Sequence, residues 1–132
     1  MHARGTFDVK LNPIAAYDDT PGTTLGRMSI DKQFSGDLTG TSKGEMLMAG
    51  TNVKGSAGYV AIERVTGTLG GKSGSFVFQH SGTMDKGAPT LAVSVVPDSG
   101  TDELTGLRGS FSIEITGGKH IYEFTYAFAA ND

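Results

Sequence analysis

Apolar and polar residues alternate with a period of two along most of this chain, and almost nowhere with the period of a helix. Ala3, Gly5, Phe7, Val9 and Leu11 fall on one face of a first extended segment. Met28, Ile30, Lys32 and Phe34 mark a second. Leu38, Gly40, Ser42, Gly44, Met46 and Met48 mark a long third, bent at its glycines. Gly58 to Leu69 holds a fourth, Ser73 to Ser81 a fifth, Thr90 to Val96 a sixth and Arg108 to Ile115 a seventh. Lys119 to Ala129 is the eighth, after a Gly117-Gly118 turn. Successive strand side chains point to opposite faces, so this alternation predicts strands with one buried face. Asn12 to Pro21 reads as a loop, because Pro21 and Gly22 close any helical turn that Pro13 could open. Pro89 and Pro97 fall outside the sixth strand, where a residue without an N–H costs no ladder bond.

A weak internal repeat sets the connectivity. Leu38-Thr39-Gly40 precedes Gly44, Leu69-Gly70-Gly71 precedes Gly74, and Leu104-Thr105-Gly106 precedes Gly109. Each reads as the close of one strand, a tight turn and a fresh strand, which argues for a meander. Eight meandering strands best remove their exposed edges by closing on themselves. The fold class expected is therefore all-β, an eight-stranded antiparallel barrel, with an open sandwich as the alternative. The 132 residues, 20 of them Gly and only 4 Pro, suit one barrel domain over residues 1–132.

In the eighth strand His120, Tyr122, Phe124, Tyr126 and Phe128 share a face, and Ile121, Glu123, Thr125 and Ala127 share the other. The aromatic face is the buried one, which carries His120 inward. In the fifth strand Phe76, Phe78 and His80 share a face opposite Val77 and Gln79, which turns His80 inward as well. The fourth strand is ambiguous. Tyr59, Ala61, Glu63 and Val65 form one face, Val60, Ile62 and Arg64 the other, and both are partly apolar. Either Tyr59 and Glu63 face the interior, or Glu63 is a surface acid. A subunit contact over the outer face would account for the second apolar side, so a homo-oligomer is expected.

Three segments, GSAGYVAIERVTGTLGGKSGSFVFQHSGTM, VVPDSGTDELTGLRGSFSI and GGKHIYEFTYAF, resemble a bacterial family of uncharacterised small proteins. Members of that family are similar in fold to allene oxide cyclases, eight-stranded antiparallel barrels of lipocalin-like general shape. The likeness runs from about Thr6 to Phe128. It implies the barrel and favours an inward Glu63. It implies no activity, since fold alone does not carry one, and no catalytic residue is transferred from the cyclases.

The charge and composition narrow the chemistry. Net charge is −3 with no basic stripe, which argues against nucleic acid. There is no Cys, no apolar leader and no run long enough for a membrane helix, so a cytoplasmic protein off the membrane is expected. Thr66 to Ser73 (TGTLGGKS) imitates a phosphate-binding loop, but Thr66 stands where Gly is required and a strand follows instead of a helix. Gly71 to Gly74 lacks the spacing of a nucleophile elbow. Pro97 to Thr101 reads as a turn, and Met46 and Met48 as filling of the barrel wall. His80 and His120 are candidate proton carriers, with Glu63 as partner or base. The same three would make a two-histidine, one-carboxylate metal set, but no local His-x-His spacing supports it, and no metal or cofactor is expected. Tyr59, Phe76, Phe78, Tyr122, Phe124 and Tyr126 are the expected lining of a ligand site. The function expected is binding of a small apolar or aromatic molecule inside the barrel. The alternative is a cofactor-independent isomerase, cyclase or lyase that moves a proton through His, Glu or Tyr.

Overall fold

The computed structural model describes residues 1–15, 18 and 20–129. Eight strands follow in order: β1 (His2–Ile14), β2 (Thr24–Gly36), β3 (Leu38–Gly50), β4 (Ala57–Leu69), β5 (Lys72–Asp85), β6 (Ala88–Val95), β7 (Leu107–Thr116) and β8 (Lys119–Phe128). Each pairs antiparallel with its neighbour in sequence, and β1 pairs with β8 to close the barrel. The alternation in the sequence is the reason. Ala3, Phe7, Ile30, Phe34, Val65, Phe76, Phe78, Phe111, Tyr122 and Phe124 all lie on inward faces and are buried. Arg4, Asp8, Lys10, Lys43, Glu45, Arg64, Arg108 and Glu123 lie on outward faces. A charged outside around an aromatic inside is the reverse of a barrel that faces lipid. No helix among the described residues is long and apolar enough to cross a membrane.

The strands run beyond the alternation that announced them. β1 continues through Pro13 to Ile14, so Asn12 to Ile14 is strand where a loop was expected. Ala16, Tyr17 and Asp19, in the remainder of that segment, lie outside the described residues. Pro89 lies inside β6, opposite Met84 of β5, and not before the strand. Both prolines are tolerated for one reason: their second edge carries no partner. The β1–β8 register ends at Phe7↔His120, well short of Pro13. β6 meets β7 at a single registered pair, Ser94↔Ser110, so its edge at Pro89 has no ladder bond to lose.

The two ends of the barrel differ. At the end where β3, β5 and β7 begin, Leu38, Leu69, Leu104 and Leu107 form a plug, each at most 1% exposed. Leu104 comes from a short 3-10 helix, Asp102–Leu104, in the β6–β7 connection. That connection is pinned to β5: Thr101 donates its N–H to the Ser75 carbonyl at 2.9 Å. The Pro97–Thr101 turn expected from sequence is therefore the approach to this helical plug. Above it Phe76, Phe78, Phe111, Tyr122 and Phe124 pack ring on ring, with Phe111 stacked on Tyr122 at 5.2 Å between centroids.

Tyr122 also ties β8 to the β2–β3 turn. Its hydroxyl accepts from the Leu38 N–H at 2.9 Å and faces the carbonyls of Ser35 at 3.0 Å and Leu38 at 3.2 Å. Burial raises the phenol's pKa, the Leu38 N–H opposes that, and the Asp37 charge adds to it, so Tyr122 stays a neutral donor. Tyr122→Phe leaves the Leu38 amide without its partner. The expected outcome is a loss of about 2 kcal/mol of stability, read as a lower urea midpoint with an unchanged slope.

Candidate functional site

The inner wall of the barrel carries one polar arc. β2, β3, β4 and β5 each contribute one inward polar residue to it: Lys32, Ser42, Glu63 and His80, all buried. Register brings them together. Lys32 lies opposite Ser42, Gly44 opposite Glu63, and Ser42 is a diagonal neighbour of Glu63 across the β3–β4 ladder. Gly44 makes the arrangement possible, because a Cβ there would stand 2.8 Å from Glu63 Cβ and 2.1 Å from the Ile62 carbonyl oxygen. This resolves the ambiguity of the fourth strand. Glu63 faces the interior at 0% exposure, while Val60 and Ile62 are half exposed outside.

Glu63 Oε2 lies 2.9 Å from Lys32 Nζ and 3.2 Å from His80 Nε2. Both are ion-pair distances. Both Glu63 oxygens, His80 Nε2 and Ser42 Oγ are buried without a hydrogen-bond partner among the described residues. Burial pushes the Glu63 carboxyl up, but His80 and Lys32 beside it outweigh that, and its pKa falls below the ordinary carboxylate value. Glu63 is therefore an anion held by an ammonium. Lys32 also lies over the Phe7 ring, 4.8 Å from its centroid.

The two histidines part company. His80 joins Glu63. His120, on β8, is half-buried against the Phe7 ring at 5.0 Å. No group of three His, Cys, Asp or Glu that could hold a metal converges among the described residues. The aromatic candidates divide as well. Phe76, Phe78, Tyr122 and Phe124 are buried in the packed half, and Tyr126 continues that packing against Phe124. Tyr59 alone of the six stands at the open end.

At that end a cavity of about 380 Å³ is lined by Met46, Met48, Tyr59, Gly82, Met84 and Leu91, with neighbours on β4 to β6. Its surface is almost wholly apolar. Tyr59 bridges the cavity and the polar arc. Its ring lies 6.3 Å from the His80 ring, and a Cβ on Gly82 would stand 2.5 Å from its Cε1, so glycine gives the ring its place. Burial raises the Tyr59 pKa, and the Glu63 charge raises it further. A larger groove of about 800 Å³, no more open than the first, lies on the outer wall, lined by Arg27, Lys43, Glu45, Val60, Ile62 and Arg64 among others. Lys32 and Ser42 join the site without having been expected there from the sequence. Their signal was a lysine and a serine on faces otherwise apolar.

These features define a small closed antiparallel barrel with a plugged end, an apolar mouth and an ion pair buried between them. The chain belongs to the DUF3224 family, described as proteins of unknown function, whose family profile matches residues 3–126. A crystal structure of a DUF3224 protein of unknown function from the bacterium Shewanella oneidensis is similar to it, with 53% identity and a TM-score of 0.96. That likeness covers 99% of this chain and 98% of the other. None of the curated proteins matches the chain.

Two outcomes test the buried pair. Lys32→Met strands the Glu63 anion, and its expected cost is roughly 3–5 kcal/mol; Lys32→Met with Glu63→Leu should recover most of that in urea melts. The second is acid sensitivity. The unfolded carboxyl titrates near its ordinary 4.5 and the folded one lower. As pH falls below that value the unfolded chain takes the proton first, so the stability Glu63 contributes is full above 4.5 and is lost through the folded pKa. Glu63→Gln should flatten this part of the stability–pH curve.

Proposed function

We propose that this protein is a ligand-binding barrel that takes a small apolar or aromatic molecule into its open end. The observation that carries the reading is the apolar cavity of about 380 Å³ standing over a buried charged group. Binding sites for small molecules are mostly apolar concavities of this size with a few polar groups that orient the ligand. Met46, Met48 and Met84 give the walls the adaptability of unbranched thioethers. The reading assigns the protein to the cytoplasm, where a chain without cysteine needs no oxidising surroundings.

One observation favours a second reading, in which the barrel moves a proton as an isomerase, cyclase or lyase: His80 Nε2 and Glu63 Oε2 lie 3.2 Å apart beneath the cavity. It ranks lower because Lys32 and His80 hold the Glu63 pKa down, which weakens the carboxylate as a base.

The test uses N-phenyl-1-naphthylamine, a neutral apolar probe whose emission rises on leaving water. The wild type should bind one molecule per chain. Met48→Arg, which sets a charge in the rim of the cavity, should weaken binding by about tenfold or more. No binding, or equal binding by both proteins, overturns the reading. Native mass spectrometry of the same samples gives the stoichiometry and the number of chains, and so whether a second copy covers the half-exposed Leu47, Val60 and Ile62.

A further inference from the structure

We infer that the ligand carries a neutral hydroxyl, phenolic or alcoholic, on its apolar body, and that this group seats on Glu63 and Ser42. The inference rests on the cavity reading and adds the chemistry of the ligand's polar end.

The first observation is a set of unmet hydrogen bonds. Glu63 Oε1 accepts nothing, and Ser42 Oγ has no partner, although Glu63 is 0% and Ser42 2% exposed. Native interiors rarely leave such atoms unpaired, since each costs free energy comparable to a lost hydrogen bond. The unpartnered atoms are of two kinds. A carboxylate oxygen only accepts, and a hydroxyl both gives and accepts. A hydroxyl satisfies both at once, donating to the Glu63 carboxylate and accepting from the Ser42 hydroxyl.

The second observation is charge. The fixed charges of the arc, Lys32 and Glu63, balance each other at 2.9 Å, with His80 beside them at 3.2 Å. A carboxylate ligand would leave an excess negative charge in the buried interior, and an ammonium an excess positive one. Either is costly without a further partner. A neutral head leaves the balance as it is.

The third is a route. Between the mouth and the arc the wall is built of small or bendable residues. Ala61 lies directly above Glu63 on the inward face of β4, opposite Met46 on β3 and His80 on β5. Gly82 lies above His80. Two residues of strand separate Ala61 from Glu63, a drop of roughly 7 Å, within reach of a hydroxyl on a ring seated over Ala61 between Met46 and Tyr59. The Tyr59 ring lies against Gly82 beside this route.

Four naphthalene probes at neutral pH test the inference: naphthalene, 2-naphthol, 2-naphthoate and 2-naphthylmethylammonium. The protein has no Trp, so the emission of each probe is read directly in titrations. The wild type should bind 2-naphthol at least about tenfold more tightly than naphthalene, the value of a hydrogen bond to a charged acceptor, and both charged probes more weakly than 2-naphthol. In Lys32→Met/Glu63→Leu, which strands no charge, naphthalene should bind as before and the naphthol advantage should shrink to about twofold or less. Ser42→Ala should lower that advantage in the otherwise native site. Equal affinity for naphthalene and 2-naphthol, or tightest binding of 2-naphthoate, overturns the hydroxyl while leaving the cavity reading intact. Failure of all four to bind overturns the cavity reading and this inference with it.

Discussion

A carboxylate with no access to solvent is the constraint on which the middle of this barrel depends. Glu63 must be paired, and the ammonium that reaches it comes from the other side of β3, where Lys32 extends past Ser42. Gly44 must then lack a side chain, or the carboxylate has no room beside the backbone. His80 completes the surroundings from β5. β2, β4 and β5 are thus tied by one charge across β3. A buried ion pair is weak evidence for stability, because desolvation consumes most of the attraction. Its presence in a barrel that aromatic rings could fill points to a task other than holding the fold.

The interior divides accordingly. Toward the plugged end, Phe76, Phe78, Phe111 and Phe124 fill the space with ring contacts and leave nothing to bind. Toward the mouth the wall thins to Ala61, Gly82 and three methionines, and Tyr59 is the one large ring. The packed half holds the wall in register. The open half keeps its polar arc where that register places it.

Much of this was legible in the sequence. Strict alternation in HIYEFTYAF and SFVFQH gave the faces of β8 and β5, and the glycine turns gave the meander. The strand ends were less legible, because Pro13 and Pro89 normally terminate strands, and only the missing ladders beside them explain why here they do not. Alternation also says which face a residue occupies, but not where around the barrel it stands. His80 and His120 look equivalent in sequence, yet one joins Glu63 and the other rests on Phe7. Lys32 sat in plain view on an inward face. Its partner could be named only once the registers of β2, β3 and β4 were known, since the pair joins strands that are not neighbours.

The closure of β1 on β8 bears on how the molecule is made. Ala3 pairs with Phe124 and Gly5 with Tyr122, so the first strand of the barrel waits for the eighth. β8 also supplies Tyr122, Phe124 and Tyr126, three of the largest core side chains. On the ribosome, β1 to β7 can form hairpins but not a sealed interior, because such long-range pairing must await both ends of the loop it closes. Until β8 emerges, the nascent sheet shows water its aromatic face and two raw edges. The barrel therefore closes only once β8 is available, and its most exposed moment is the interval before that strand docks.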